Sequence, residues 1–311
     1  MEDSRMRRFK NILVGVDLSH GDRFVSRELL PPSVEAVERA LWLAKQNTAQ
    51  LTFFYAVDVS ESTRRMLEDS DGGNSVVFNE PREILSGLVA QAEAEGVSAD
   101  AEVRFGKSWI ELIRQVVQNE HDLIVAGTRH RGAWQGFLMG STGTKLLRNC
   151  PCPVWITQPQ SERKTMSILV AHDLRPVGDL AMELGCSMAR LQNAQLHVIH
   201  AADYPEFNYM FPATISAKRT QAYRDEAERH IHAQLAAADV CPPAKLHFVT
   251  EPPDLAIMNC VEQHAIDLLV MGTVGRTGIS GFITGNTAER LLPQIPCSLL
   301  AVKPPGFVSP V

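Results

Sequence analysis

Short apolar runs separated by amphipathic stretches recur along this chain. In the first half, Asn11–Val16, Leu51–Val57, Asp122–Ala126 and Val154–Thr157 read as buried strands, and Ala101–Phe105 alternates as a half-buried strand does. Between them, Val34–Gln46, Arg82–Glu95, Trp109–Asn119 and Gly143–Asn149 carry helical periodicity, with Val37, Leu41 and Leu43–Ala44 on one face of the first. Ser60–Asn74, rich in Ser, Asp and Gly, reads as a loop. The second half repeats the order. Its strands are Ser167–Ala171, Gln195–Ala201, Leu246–Val249, Asp267–Met271 and Ser298–Val302. Its helices are Leu180–Gln192, Lys218–Ala238, Asp254–His264 and Thr287–Leu292. Continuous apolar strands alternating with helices predict parallel sheets covered on both faces.

The repetition extends to single residues. Gly127 and Gly272, Gly140 and Gly285, and Cys152 and Cys297 each stand 145 residues apart, which marks an internal duplication. Polar Gln158–Lys164, with Pro159, is the expected linker, so the predicted domains are 1–158 and 165–311. The first half has a longer loop, His20–Ser33, before its first helix.

At 311 residues, two domains of about 150 each are expected, large enough to need no disulfide or metal. A net charge of −6 argues against nucleic acid as a partner. The charged start Met1–Arg8 does not resemble a leader, and no run approaches a membrane span. The six cysteines are therefore expected as reduced thiols in the cytoplasm. Cys150 and Cys152 flank one residue, yet no Cys or His pair with zinc spacing stands near them, so no metal is expected.

The candidate chemistry lies in the glycine ladders. Gly272, Gly275 and Gly278, then Gly285-Asn286-Thr287, follow the apolar run Leu268–Met271. A weaker copy begins at Gly127 and closes with Gly140-Ser141-Thr142. A strand entering such a loop and then a helix start can cradle phosphate on backbone N–H groups, or be a structural turn. Asp17 and Asp173, each closing the first strand of its half, fit an adenine-binding carboxylate or a turn aspartate. No Walker-A lysine follows the glycines, and no acidic doublet supports aspartyl phosphorylation. His172 and Asp173 are strand neighbours that point to opposite faces, a poor dyad. No catalytic residue is expected, and at most a slow ATPase. Tyr204–Phe211, holding four aromatics, is a lid, a partner patch or a self-packed loop.

Each half resembles a universal stress protein domain, and the whole resembles the tandem, E-type arrangement of that family. The marks are Ile12-Leu-Val-Gly-Val-Asp17, Ile168-Leu-Val-Ala-His-Asp173, the glycine loops and Arg148-Asn-Cys-Pro-Cys-Pro-Val-Trp-Ile156. The resemblance covers essentially the full chain. It implies an α/β fold of two tandem five-stranded, Rossmann-like domains of the adenine nucleotide alpha hydrolase type. It also implies ATP or another adenine nucleotide, with or without Mg2+, at Asp173, Val198, Met271, Gly272, Gly275, Gly285, Asn286 and Thr287. The corresponding first-half set is Asp17, Gly127, Gly140, Ser141 and Thr142, but His130 stands at the second glycine position, where it either blocks the phosphate path, the expectation here, or adds charge beside Arg129 and Arg131. The second half is thus the expected site, although Asn286 replaces the family's Ser or Thr. The alternative is an interaction or scaffold protein without nucleotide, or with an apolar ligand in the second half. The apolar last strands, Val154–Thr157 and Ser298–Val302, are expected to pair as an internal pseudo-dimer. A linker of seven residues spans roughly 23–25 Å and permits this. A homodimer is a further expectation.

Overall fold

The computed structural model describes residues 8–19, 25–70, 78–130, 137–159, 165–202, 217–273, 286–292, 294–304 and 306–311. Contacts divide the chain into two compact units, Met1–Pro159 with Gly306–Val311, and Gln160–Pro305. The boundary falls inside the expected linker, but the last six residues group with the first unit rather than the second.

In the first unit, β1 (Asn11–Gly15), β2 (Gln50–Val57), β3 (Ala99–Phe105), β4 (Leu123–Gly127) and β7 (Val154–Thr157) form parallel pairs in the order β7-β4-β1-β2-β3. Two-residue strands β5 (Arg129–His130) and β6 (Phe137–Leu138) form a separate antiparallel ribbon. Its helices are α1 (Pro31–Asn47), α2 (Glu61–Ser70), α3 (Asn79–Ala94), α4 (Ser108–Asn119) and α5 (Ser141–Asn149). Ile12, Leu13, Val14, Leu123, Ile124 and Val125 have no exposed surface. Burying each such side chain stabilises by roughly 1.5–3 kcal/mol, which makes these two strands the centre of the core.

The second unit repeats this plan with β8 (Ser167–Ala171), α6 (Pro176–Gln192), β9 (Gln195–Ala201), α7 (Ala217–Ala238), β10 (Lys245–Val249), α8 (Pro253–Gln263), β11 (Leu268–Gly272), α9 (Asn286–Leu291) and β12 (Ser298–Val302). The order is β10-β9-β8-β11-β12, again parallel. In both units an aspartate ties the first strand to the fourth. Asp122 accepts the backbone N–H groups of Lys10 (2.7 Å) and Asn11 (3.1 Å), and Asp267 accepts that of Ser167 (2.8 Å). These two aspartates also stand 145 residues apart, so the duplication is three-dimensional.

Two local expectations change. Ser60–Asn74 is not wholly loop, because Glu61–Ser70 is helical. The Ser60 hydroxyl accepts the Thr63 N–H at 3.2 Å, and Arg65 pairs with Glu61 one turn away. Helices α1 and α6 begin three and four residues earlier than their apolar periodicity suggests, at Pro31 and Pro176. Proline at the first helical position lacks only an N–H that would have no partner there.

Candidate functional site

In an open parallel sheet, a crevice forms at the carboxyl ends of the strands where the chain reverses its order of addition. In the second unit that point lies between β8 and β11, paired in register with Met271 opposite Ala171. Asp173 follows β8 and is exposed. Gly272 ends β11, and the buried Thr273 follows. Asp173 and Gly272 thus flank the switch point. Met271 is buried beneath them. Val198 is buried in the middle of β9, opposite Val170, and does not reach the edge. Asn286 and Thr287 open α9. Gly275, Gly278, Gly285 and the aromatic stretch Tyr204–Phe211 lie outside the described residues.

The first glycine of each ladder has a packing reason. A Cβ on Gly272 would lie 2.8 Å from Val177 Cγ1, at the start of α6. A Cβ on Gly127 would collide with the carbonyl of Pro32, at the start of α1. Both helices therefore start close against a strand end, where a glycine leaves room for them. The aspartates carry local structure as well. Asp173 Oδ1 accepts the Arg175 N–H at 3.1 Å, and Asp17 Oδ1 accepts the Ser19 N–H at 3.0 Å and its hydroxyl at 2.6 Å. Both are side-chain-closed turns. In each, the carboxylate stays exposed at the sheet edge.

The first unit places Asp17 and Gly127 on either side of the equivalent switch point, between β1 and β4. Gly140 caps α5 without a side-chain hydrogen bond, and Ser141 and Thr142 form its first turn. The chain after β4 takes a different path. Arg129 and His130 are strand residues paired with Leu138 and Phe137, so the second glycine position of this copy lies in a ribbon. Beside Asp17, burial and the Asp17 and Asp58 carboxylates push the Tyr55 phenol up to about 12.

A polar network over the second unit's edge was not legible from spacing. His172 is buried, whereas Asp173 is exposed, so the two do indeed part to opposite sides. His172 Nδ1 accepts the Leu174 N–H at 2.9 Å, which leaves Nε2 to donate to Gln234 Oε1 at 3.0 Å. Gln234 Nε2 in turn donates to Asp179 Oδ1 at 2.6 Å, and His230 Nε2 meets the same oxygen at 2.8 Å. Burial holds His172 below the usual imidazole value against the pull of Asp179. Burial works to raise Asp179, but hydrogen bonds from His230 and Gln234 outweigh it and hold the carboxyl low. Beneath, His200 Nδ1 donates to the His172 carbonyl at 2.8 Å, and its Nε2 lies 3.1 Å from the Tyr223 hydroxyl. This network binds α6 and α7 to the end of β8. Its only sequence trace is polar residues on an otherwise amphipathic helix.

All six cysteines are free thiols, with Cys150 and Cys152 buried and their sulfurs 3.5 Å apart. Among the described residues, no helix is long and apolar enough to cross a membrane.

Comparison with known proteins places this geometry. The universal stress protein family model matches residues 8–158 and again 164–303. Universal stress protein E of Photorhabdus laumondii is 23% identical, with 98% of each chain covered. A universal stress protein of Mycobacterium bovis is 25% identical over 93% of this chain and 95% of its own. Among solved structures, a putative universal stress protein from Pseudomonas aeruginosa shares the fold, with a TM-score of 0.71 and 22% identity. It covers 96% of this chain and 95% of that one. One from Archaeoglobus fulgidus has a TM-score of 0.67 at 18% identity, covering 95% and 99%.

Proposed function

Because the chain belongs to the universal stress protein family, with two tandem domains, we propose that it binds an adenine nucleotide at the carboxyl edge of the second unit's sheet. ATP, with or without Mg2+, is the ligand class. The nucleotide acts as a regulatory ligand in a cytoplasmic stress response, turned over slowly if at all. One observation carries the reading: the exposed Asp173 carboxylate and Gly272 flank the switch point between β8 and β11, where such sheets take ligands. The exposed carboxylate suits the amino group of adenine, and α9 opens at Asn286 and Thr287 just beyond the glycines. Binding is assigned to the second unit because the first commits Arg129 and His130 to a ribbon where the ladder would turn.

A second reading also has an observation behind it. Packing already accounts for Gly127 and Gly272, and local turns for Asp17 and Asp173, so a scaffold that binds no nucleotide would keep all four. Calorimetric titration of the full chain with ATP, with and without Mg2+, separates the two. One site per chain, abolished by Gly275→Val without loss of fold, is expected from the nucleotide reading. No heat of binding, or binding unchanged in that variant, favours the scaffold. Two equivalent sites would remove the asymmetry between the units.

A further inference from the structure

The second unit holds a group of donor side chains on the opposite face of its sheet from the network around His172. His197 lies on β9 and His247 on the neighbouring β10. Cys260 lies in the last turn of α8, and His264 follows that helix. One imidazole nitrogen from each histidine and the Cys260 sulfur all lie within 4.8 Å of one another. The rings of His197 and His247 stack at 5.3 Å between centroids, and His264 stands 4.7 and 4.8 Å from them. His197 and Cys260 are buried, and the other two half-buried.

We propose that His197, His247, Cys260 and His264 form a tetrahedral site for a zinc-type divalent cation.

Hydrogen bonding explains the His172 network but not this group. There, Asp179 and Gln234 supply the partners of the imidazoles. Here no carboxylate pairs with any of the three rings among the described residues. Among the described residues a single hydrogen bond joins them, His197 Nδ1 to His247 Nε2 at 3.0 Å. Three imidazoles and a thiol converging in a half-buried space is costly unless something shares their lone pairs. Burial, the neighbouring rings and Lys245 push His197 down to about 4, and burial first, then His264 and Lys245, lowers His247. Neutral rings offer lone pairs to a metal. Cys260, pushed up to about 11 by burial, is a thiol until a cation takes the proton's place.

The donor set selects the cation. Nitrogen and sulfur suit Zn2+ and disfavour Mg2+ and Ca2+, which take oxygen. Around a tetrahedral zinc, donors stand roughly 3.3–3.6 Å apart, from bond lengths of about 2.0–2.3 Å. The four donors here lie within 4.8 Å of one another, and the His197–His247 pair, at 3.0 Å, would open slightly as the others draw in. The four residues come from two adjacent strands and one helix end, rigid elements that hold donors in place. Cys260 and His264 stand one turn apart, a spacing that presents two ligands on one face. A cavity of about 130 Å³, lined in part by His247, Cys260, His264 and Glu251, provides a path from solvent. With all four positions filled by protein, the site is a closed, structural one that links β9, β10 and α8.

The first unit supplies an internal control. Strand register and the 145-residue offset put Thr52, Glu102, Gln115 and Asn119 at the corresponding positions. That set is not a zinc site, so one ion per chain is expected.

The test uses the untagged full chain, stripped with chelator and titrated with Zn2+ against a chromophoric competitor. One ion should bind per chain and raise the thermal midpoint. Cys260→Ser and His264→Gln should each weaken binding by on the order of 100-fold or more. With Co2+ in place of Zn2+, a thiolate charge-transfer band should appear and vanish in Cys260→Ser. His230→Ala, in the other histidine group, should leave Zn2+ binding unchanged. His264 is half-buried beyond the helix end, so its variant reads the site even if the Cys260 variant folds poorly. No bound ion, binding indifferent to His264→Gln, or loss of binding in His230→Ala would overturn the proposal.

Discussion

The two units share a chassis and differ in what is mounted on it. Strand order, the aspartate that ties the first strand to the fourth, the closed turn after the first strand, and the glycine under the first helix recur in both. The buried histidines do not. Seven of the ten histidines lie in the second half. His172 occupies the position that Val16 holds in the first unit, and His200 that of Tyr55. A buried valine needs no partner, whereas a buried histidine needs Leu174, Gln234 and Asp179 around it. The repeat therefore keeps what the fold requires and varies what the covering helices can satisfy.

The glycines under the helices give the largest expected contrast. In Gly127→Ala the new methyl meets the Pro32 backbone, which cannot rotate away. In Gly272→Ala it meets the Val177 side chain, which can shift. Urea unfolding should show a loss of about 3 kcal/mol for the first and about 1 kcal/mol for the second. Equal losses would mean that α1 and α6 are seated alike.

The tying aspartates come next. Asp122 accepts two backbone N–H groups and Asp267 one that is described. Asp122→Ala should cost about 2 kcal/mol and Asp267→Ala about 1 kcal/mol by the same measurement. A reversed order would show that the second unit leans on its tie more than the contacts imply.

The smallest effect is one of slope. Burial lowers His172 in the folded protein, so below the ordinary value of 6.5 the unfolded chain holds more protons. The stability from the neutral ring is fully present above that value and is lost as pH falls. His121 acts in the same direction in the first unit. His172→Val, which copies Val16, should be less stable at neutral pH but lose stability less steeply on acidification. Unfolding midpoints at neutral and mildly acidic pH read the difference. Parallel slopes would mean that His172 takes up its proton equally in the folded and the unfolded chain.

The residues that made the fold legible were those with local signatures. Apolar runs, and alternation at Ala101–Phe105, named all ten parallel strands of the two units, because a buried strand face has little freedom of composition. The helix Glu61–Ser70 escaped because it is short and lacks an apolar face, and only the Ser60 cap announces it. In the site, Asp173 and Gly272 were visible as the ends of two apolar runs. Val198 was placed by resemblance and lies in the middle of β9, opposite Val170. Asp179, His230 and Gln234 left no local trace beyond polar positions on their helices.

By itself, the sequence determined the duplication, the parallel α/β plan and the aspartates that close the first strand of each half. Each of those follows from periodicity or from backbone geometry within a few residues. Tertiary structure decided which distant side chains share a space. His197, His247 and Cys260 are separated by 50 and 13 residues, and nothing in those intervals brings them together. The pairing of β10 beside β9 and the packing of α8 on β9 do so, because strand register fixes facing side chains that chain order leaves apart.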